Sequence, residues 1–216
     1  MKRVMLLGGK VILFTLIFTI GLQAQKDDEL LKRTVEIDPS FNANIWSAVH
    51  VLADQGIPIG FEAAEHWNVD MGPKLCLKSG SLSEVLKSIS QQDPGYVWQE
   101  NDGVINFFPS ADRNVKSLAA LETRIGPTTV NKGDSRAYVV EQLSRLFDEA
   151  GGKKLQFHSA VGAGNNLGIP DKFDKQIDIP KSDTRTVLNR LIKAQAFSPI
   201  WSVMQYAKRD ELILVF

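Results

Sequence analysis

The stretch Glu62-Ala63-Ala64-Glu65-His66 puts two carboxylates and an imidazole within five residues, a set of groups that can hold a metal ion. Its spacing is not that of the helical His-Glu-x-x-His motif, in which two imidazoles four apart share one face. His50 falls on a predicted preceding helix and His158 lies far along the chain, so a solvated segment after a strand is the expectation. Cys76, the one cysteine, would need a histidine beside it to act as a nucleophile. It stands between Leu75 and Leu77, and strand alternation turns it away from the face that those leucines bury. An exposed or interface cysteine without a catalytic role is expected. Residues 162 to 168 (Gly-Ala-Gly-Asn-Asn-Leu-Gly) look superficially like a phosphate loop, but they lack the required lysine and a tight strand-to-helix turn. Of the four tryptophans, Trp46, Trp98 and Trp201 read as packing residues, and Trp67, in an irregular polar stretch, is the candidate contact residue. No catalytic residue, cofactor or metal site is expected.

Lys2 and Arg3, an apolar run from Val11 to Leu22 and the small residue Ala24 read as a secretory signal peptide over residues 1 to 24, cut after Ala24. The run is shorter than the ~20 residues of a membrane-spanning helix, so an uncleaved anchor is the minority reading and no stable span is expected after processing. Cleavage removes Lys2, Arg3 and Lys10 and no acid, leaving 22 basic against 25 acidic residues. A mildly acidic chain argues against a nucleic-acid surface, which needs a concentrated basic face. With one cysteine, stability must come from apolar cores rather than an internal disulfide.

The remaining chain reads twice. Val35 and Ile37 form a short strand, followed by a helix carrying Ile45, Val49, Leu52 and Ala53 that Asn42 can cap and Gly56 and Pro58 end; Ile57 to Phe61 is strand-like. About 94 residues later Thr128 to Val130, then Val139, Val140, Leu143 and Leu146, then Leu155 to Phe157 repeat the pattern. Ser81-Leu82-Ser83-Glu84 is a capping box that opens a helix through Ile89. Asn101-Asp102-Gly103 joins two strands as a hairpin. In the second copy Asp134 or Ser135 can cap the first helix, and Asp183 replaces Ser81. Thr186 in place of Glu84 loses the reciprocal half of the box, and Trp201 aligns with Trp98. The expected fold is α+β: two tandem small domains, each strand-helix-strand then strand-helix-strand-strand, over residues 34–109 and 127–216. Residues 110–126 form the linker, with Leu118 to Leu121 docking on one domain, and residues 161 to 176 form a loop.

The run from Leu75 to Leu86, with Tyr96-Val97-Trp98 and Val104 to Phe108, resembles the short N-terminal domain shared by secretins and TonB-dependent receptors. Ile177-Asp178-Ile179-Pro180, Val187-Leu188 and Leu212 to Phe216 match the same STN-like pattern more loosely. The resemblance implies periplasmic modules whose helices pack between small sheets and which contact other envelope proteins without catalysis. This chain departs from it in carrying no β-barrel or secretin core after the module.

The expected function is therefore an exported or periplasmic protein-interaction module. Its partners are envelope proteins, secretin or outer-membrane receptor components among them, with no nucleic acid. The alternatives are an envelope hydrolase, or a ligand-binding sensor using the cleft between the domains. The apolar closing strands are taken as sheet edges open to a partner segment. Val104, Ile105, Phe107, Leu212, Leu214 and Phe216 are thus the partner-binding candidates alongside Trp67.

Overall fold

The computed structural model describes residues 29–63, 72–110, 120–151, 155–158, 172–194, 200–205 and 212–215. The predicted signal segment, Glu65, His66, Trp67, Phe216 and the glycine-rich run 162–168 lie outside them.

The fold is mixed α+β. Its first unit runs β1 (Thr34–Val35), α1 (Ile45–Asp54), β2 (Ile59–Glu62), β3 (Gly80–Ser81), α2 (Leu82–Gln92), β4 (Tyr96–Asn101) and β5 (Val104–Pro109). The second runs β6 (Arg124–Ile125), β7 (Thr128–Val130), α3 (Arg136–Glu149), β8 (Leu155–His158), β9 (Ile177–Ile179), β10 (Ser182–Asp183), α4 (Thr184–Lys193), β11 (Ile200–Gln205) and β12 (Leu212–Val215). No helix among the described residues is long and apolar enough to cross a membrane.

Local chemistry sets the element ends. The first helix is capped by Asn44, whose side chain accepts from the Ser47 amide, and not by Asn42. Gln55 closes it and Gly56 follows at φ 76°, a left-handed step that glycine takes without a Cβ penalty. Helix α2 carries the full capping box, with Ser81 accepting from Glu84 N and Glu84 accepting from Ser81 N. In α4 Asp183 accepts from the Thr186 amide, and the Thr186 hydroxyl donates back to Asp183, so half of the device persists. The β4–β5 turn is Asp102-Gly103 with φ of 53° and 77°, the double positive φ of a two-residue hairpin.

Hydrogen bonding follows a similar pattern in the two units, in a register different from the one expected. Leu82 N donates to Arg33 O at the start of α2, as Thr184 N donates to Thr123 O at the start of α4. β1 pairs antiparallel with β3 as β6 pairs with β10. The counterpart of Thr34–Val35 is thus Arg124–Ile125, inside the stretch expected to be linker, rather than Thr128 to Val130. Leu121 just before it is buried in the second core, as the docking expectation required. The caps Asn44 and Ser135 align Ile45, Ala48, Val49 and Leu52 with Arg136, Val139, Val140 and Leu143, three residues away from the register read from apolar spacing. An amphipathic helix matches itself after one turn, so only the cap breaks the tie.

The hairpin and one parallel strand of each unit form a three-stranded sheet, and the two sheets join edge to edge. The result is six strands in the order β4-β5-β2-β11-β12-β8. β2 runs parallel to both β5 and β11, whereas β4, β12 and β8 run the other way. Alternate residues reach opposite faces. Ile59, Phe61, Ile105, Phe107 and Ile200 enter one core with α1 and α2, while Val104, Trp201 and Val203 enter the other with α3 and α4. The second unit is therefore the first turned half-way about an axis crossing the strands and moved three strands along it.

This topology corrects the edge assignment. β5 lies between β4 and β2, and β12 lies between β11 and β8; among the described residues the sheet ends at β4 and β8. Register also separates the tryptophans. β2 meets Ile105 where β8 meets Leu212, and the hairpins place Trp98 opposite Phe107 and Val203 opposite Leu214. Trp201 thus corresponds to Tyr96, and both are fully buried.

Removing residues 212 to 216 takes out an interior strand and leaves β8 without a neighbour, so loss of cooperative unfolding of the second unit in a circular-dichroism melt is expected. Gly60→Ala is expected to destabilise by about 1–3 kcal/mol in a urea titration, because its Cβ would lie 2.6 Å from Trp201 Cε2 and 2.5 Å from Asn106 Oδ1.

Candidate functional site

The seam between the units is where the two repeats meet through side chains that differ between them. Ile59, Gly60, Phe61 and Glu62 of β2 stand opposite Ile200, Trp201, Ser202 and Val203 of β11, and Ala63 N donates to Val203 O. On the face of the second unit, Gly60 leaves the space that the Trp201 ring fills. The indole Nε1 donates to Asn189 Oδ1 at 2.8 Å, which satisfies the polar atom of a fully buried tryptophan. Asn106, also fully buried, donates to Val104 O on the same face.

Glu62 follows on that face. Its side chain is completely buried, and Oε1 accepts from Arg185 Nε at 2.7 Å, whereas Oε2 has no hydrogen-bond partner among the described residues. Burial pushes the Glu62 carboxyl up from its ordinary value; the hydrogen bond and charge of Arg185 oppose this, and the charge of Glu122 adds to it. The expectation of a solvated Glu62 is overturned. Alternation along Ile59-Gly60-Phe61-Glu62 puts the carboxylate beside Gly60 against the other unit, and the one-residue extension of the strand carries it into the interior.

Arg185 connects this buried pair to an open groove of about 700 Å3. The groove runs between the β4–β5 turn of the first unit (Asn101, Asp102) and the second unit's β6, β10 and α4 start. Arg124, Lys181 and Arg185 supply positive charge, and Glu122, Asp102 and Asp183 supply negative charge. Most of these groups are already engaged. Asp102 accepts from Lys193 Nζ at 2.7 Å through its side chain and again through its backbone carbonyl. Asp183 caps α4, Arg124 donates to Lys181 O, and Asn189 holds Trp201. The Lys193–Asp102 pair is exposed and contributes about 0–1 kcal/mol; its effect is to hold the hairpin tip over α4.

The residues read from the sequence as partner contacts lie elsewhere. Val104, Ile105 and Phe107 are fully buried, and Leu212 and Leu214 sit on a strand paired on both sides. An apolar closing strand reads equally as an exposed edge or as a sheet interior, and the neighbours that decide between them come from distant sequence. Trp67 and Phe216 lie outside the described residues. Cys76 is exposed between the buried Leu75 and Leu77, as alternation required. His50 packs edge-on to Trp46 at 4.4 Å between ring centres, its imidazole pKa lowered by burial, and Trp46 in turn lies against Phe61 of the sheet. Arg185 and Glu122 were not singled out, and nothing local marks them: each reads as one of many surface charges.

Comparisons with protein-family models, curated proteins and solved structures give no match for this chain.

Arg185→Ala leaves a buried carboxylate without its partner and is expected to cost about 3 kcal/mol or more in chemical denaturation. Because the folded Glu62 carboxyl is raised, its contribution is fully present below the ordinary carboxylate value and is lost as pH rises through the raised one. Melting temperature against pH is expected to fall through that window in the wild type and to lose this component in Glu62→Gln.

Proposed function

We propose that the chain is an exported, non-catalytic protein-interaction module of the cell envelope, and that it recognises its partner at the polar groove between its units. The observation that carries this reading is the state of the groove's ionisable groups. Asp102, Asp183 and Arg185 are each committed to an ion pair or a cap, so the groove presents a fixed pattern of charge rather than a poised acid, base or nucleophile. A pattern of both signs held on two rigid units suits a complementary polar protein surface. The signal-like first 24 residues support export. The STN-like patterning of residues 75–108 supports partners among secretin or outer-membrane receptor components.

The size of the groove also favours a second reading, a sensor for a small charged ligand. Under that reading a carboxylate-bearing metabolite would raise the melting temperature of the wild type and leave that of Lys181→Ala unchanged.

The test combines Arg124→Glu and Lys181→Glu, both at exposed positions. In cells carrying a tagged chain, the double variant is expected to keep its melting temperature and export while losing the envelope protein crosslinked by the wild type. Undiminished crosslinking to that protein would place recognition elsewhere. Clearing of cell-wall substrate in a zymogram would replace the binding reading with a hydrolase.

A further inference from the structure

We infer that the protein assembles head to tail with further copies of itself through its sheet edges, β8 of one molecule running parallel to β4 of the next. The argument starts from the joint inside the chain. There the parallel strand of the first unit, β2, pairs with the outer hairpin strand of the second, β11. In the repeat β8 is the counterpart of β2, and β4 is the counterpart of β11. Among the described residues these two strands are the ones left at the ends of the sheet. The molecule thus carries both halves of a joint that it has already made once, on opposite sides.

Direction and face agree with this pairing. β8 and β4 run the same way in the sheet, so a neighbour placed by translation along the strand order presents β4 parallel to β8, as β2 is parallel to β11. Helix α4 packs on β11 and reaches across to β2; α2, its counterpart, packs on β4 and would reach across to the neighbour's β8. The direction of the backbone groups agrees as well. Ser110 N donates to Gly95 O, and Ile105 N donates to Pro58 O toward β2. Alternation therefore turns the N–H and C=O of Trp98 to the outer side of β4.

On β4 the side chains leave the approach open. Tyr96, which stands where Trp201 stands in the internal joint, turns inward to stack on Phe61 at 5.4 Å between ring centres. Val97 is 38% exposed on this edge. Neither β4 (Tyr-Val-Trp-Gln-Glu-Asn) nor β8 (Leu-Gln-Phe-His) carries the lysine or proline that commonly blunts an exposed strand. Transferring the internal register sets Gln156 opposite Tyr96, Phe157 opposite Val97 and His158 opposite Trp98.

The positions equivalent to Glu62 and Arg185 are His158 and Ser83, so the intermolecular joint lacks the buried ion pair and is the weaker and reversible one. The two edges differ, so the contact is heterologous. A sheet twist of roughly 20° per strand turns each added molecule and favours an open helical assembly over a closed pair.

The test uses the purified protein with Cys76→Ser, and adds Val97→Cys, Phe157→Cys or both. Analytical ultracentrifugation of the parent is expected to show mass rising with concentration beyond the dimer. Mild oxidation is expected to give a ladder of crosslinked species from the double variant and a single crosslinked dimer from a mixture of the two single variants. Each single variant alone is expected to give none. A parent that stays monomeric at its highest soluble concentration overturns the proposal. Crosslinking of Val97→Cys to itself also overturns it, because that product requires a symmetric β4 to β4 pair.

Discussion

The parallel pairing of β2 with β11 is the constraint on which the rest of the structure depends. It joins two three-stranded sheets into a single six-stranded layer with a helical pair on either face. The pairing uses three residues that the repeat does not share. Gly60 is small enough for the Trp201 ring to lie on the strand, Asn189 satisfies the indole, and Arg185 meets the one carboxylate that the strand carries inside. Burial of an acid at this point is costly by itself, and its pairing with an arginine from the other unit makes the cost depend on correct assembly.

The groove follows from the same joint. Because the second unit is turned over relative to the first, the tip of the first unit's hairpin comes beside the C-terminal end of α4. Lys193 holds that tip through Asp102. Arg185, already fixed by Glu62, lines the opening. The groove is thus lined by Asn101 and Asp102 on one side and by Glu122, Arg124, Lys181 and Arg185 on the other, and neither unit contains it alone.

Repetition also explains why the edges are where they are. Each unit offers one parallel strand and one outer hairpin strand as open sides. Joining two units uses one of each and leaves one of each. The closing strands, apolar and suggestive of adhesive edges, are consumed inside each unit by the parallel partner delivered from 40 or more residues upstream. Among the described residues the end strands are instead the more polar β4 and the short β8.

Much of the local structure was legible in the residues. The capping box at Ser81, the Asp102-Gly103 turn, the stop at Gly56, the outward Cys76 and the order of elements in the first copy depend on neighbours within a few positions, which short-range chemistry determines. The register between the copies was not, because a helix of period 3.6 matches itself after three residues and only the caps at Asn44 and Ser135 distinguish the choices. The edge or interior status of Val104, Ile105, Phe107, Leu212 and Leu214, and the pairing of Glu62 with Arg185 across 123 positions, were decided by tertiary structure alone. Those outcomes depend on which strand arrives alongside, and a strand's own residues specify its two faces without naming its neighbours.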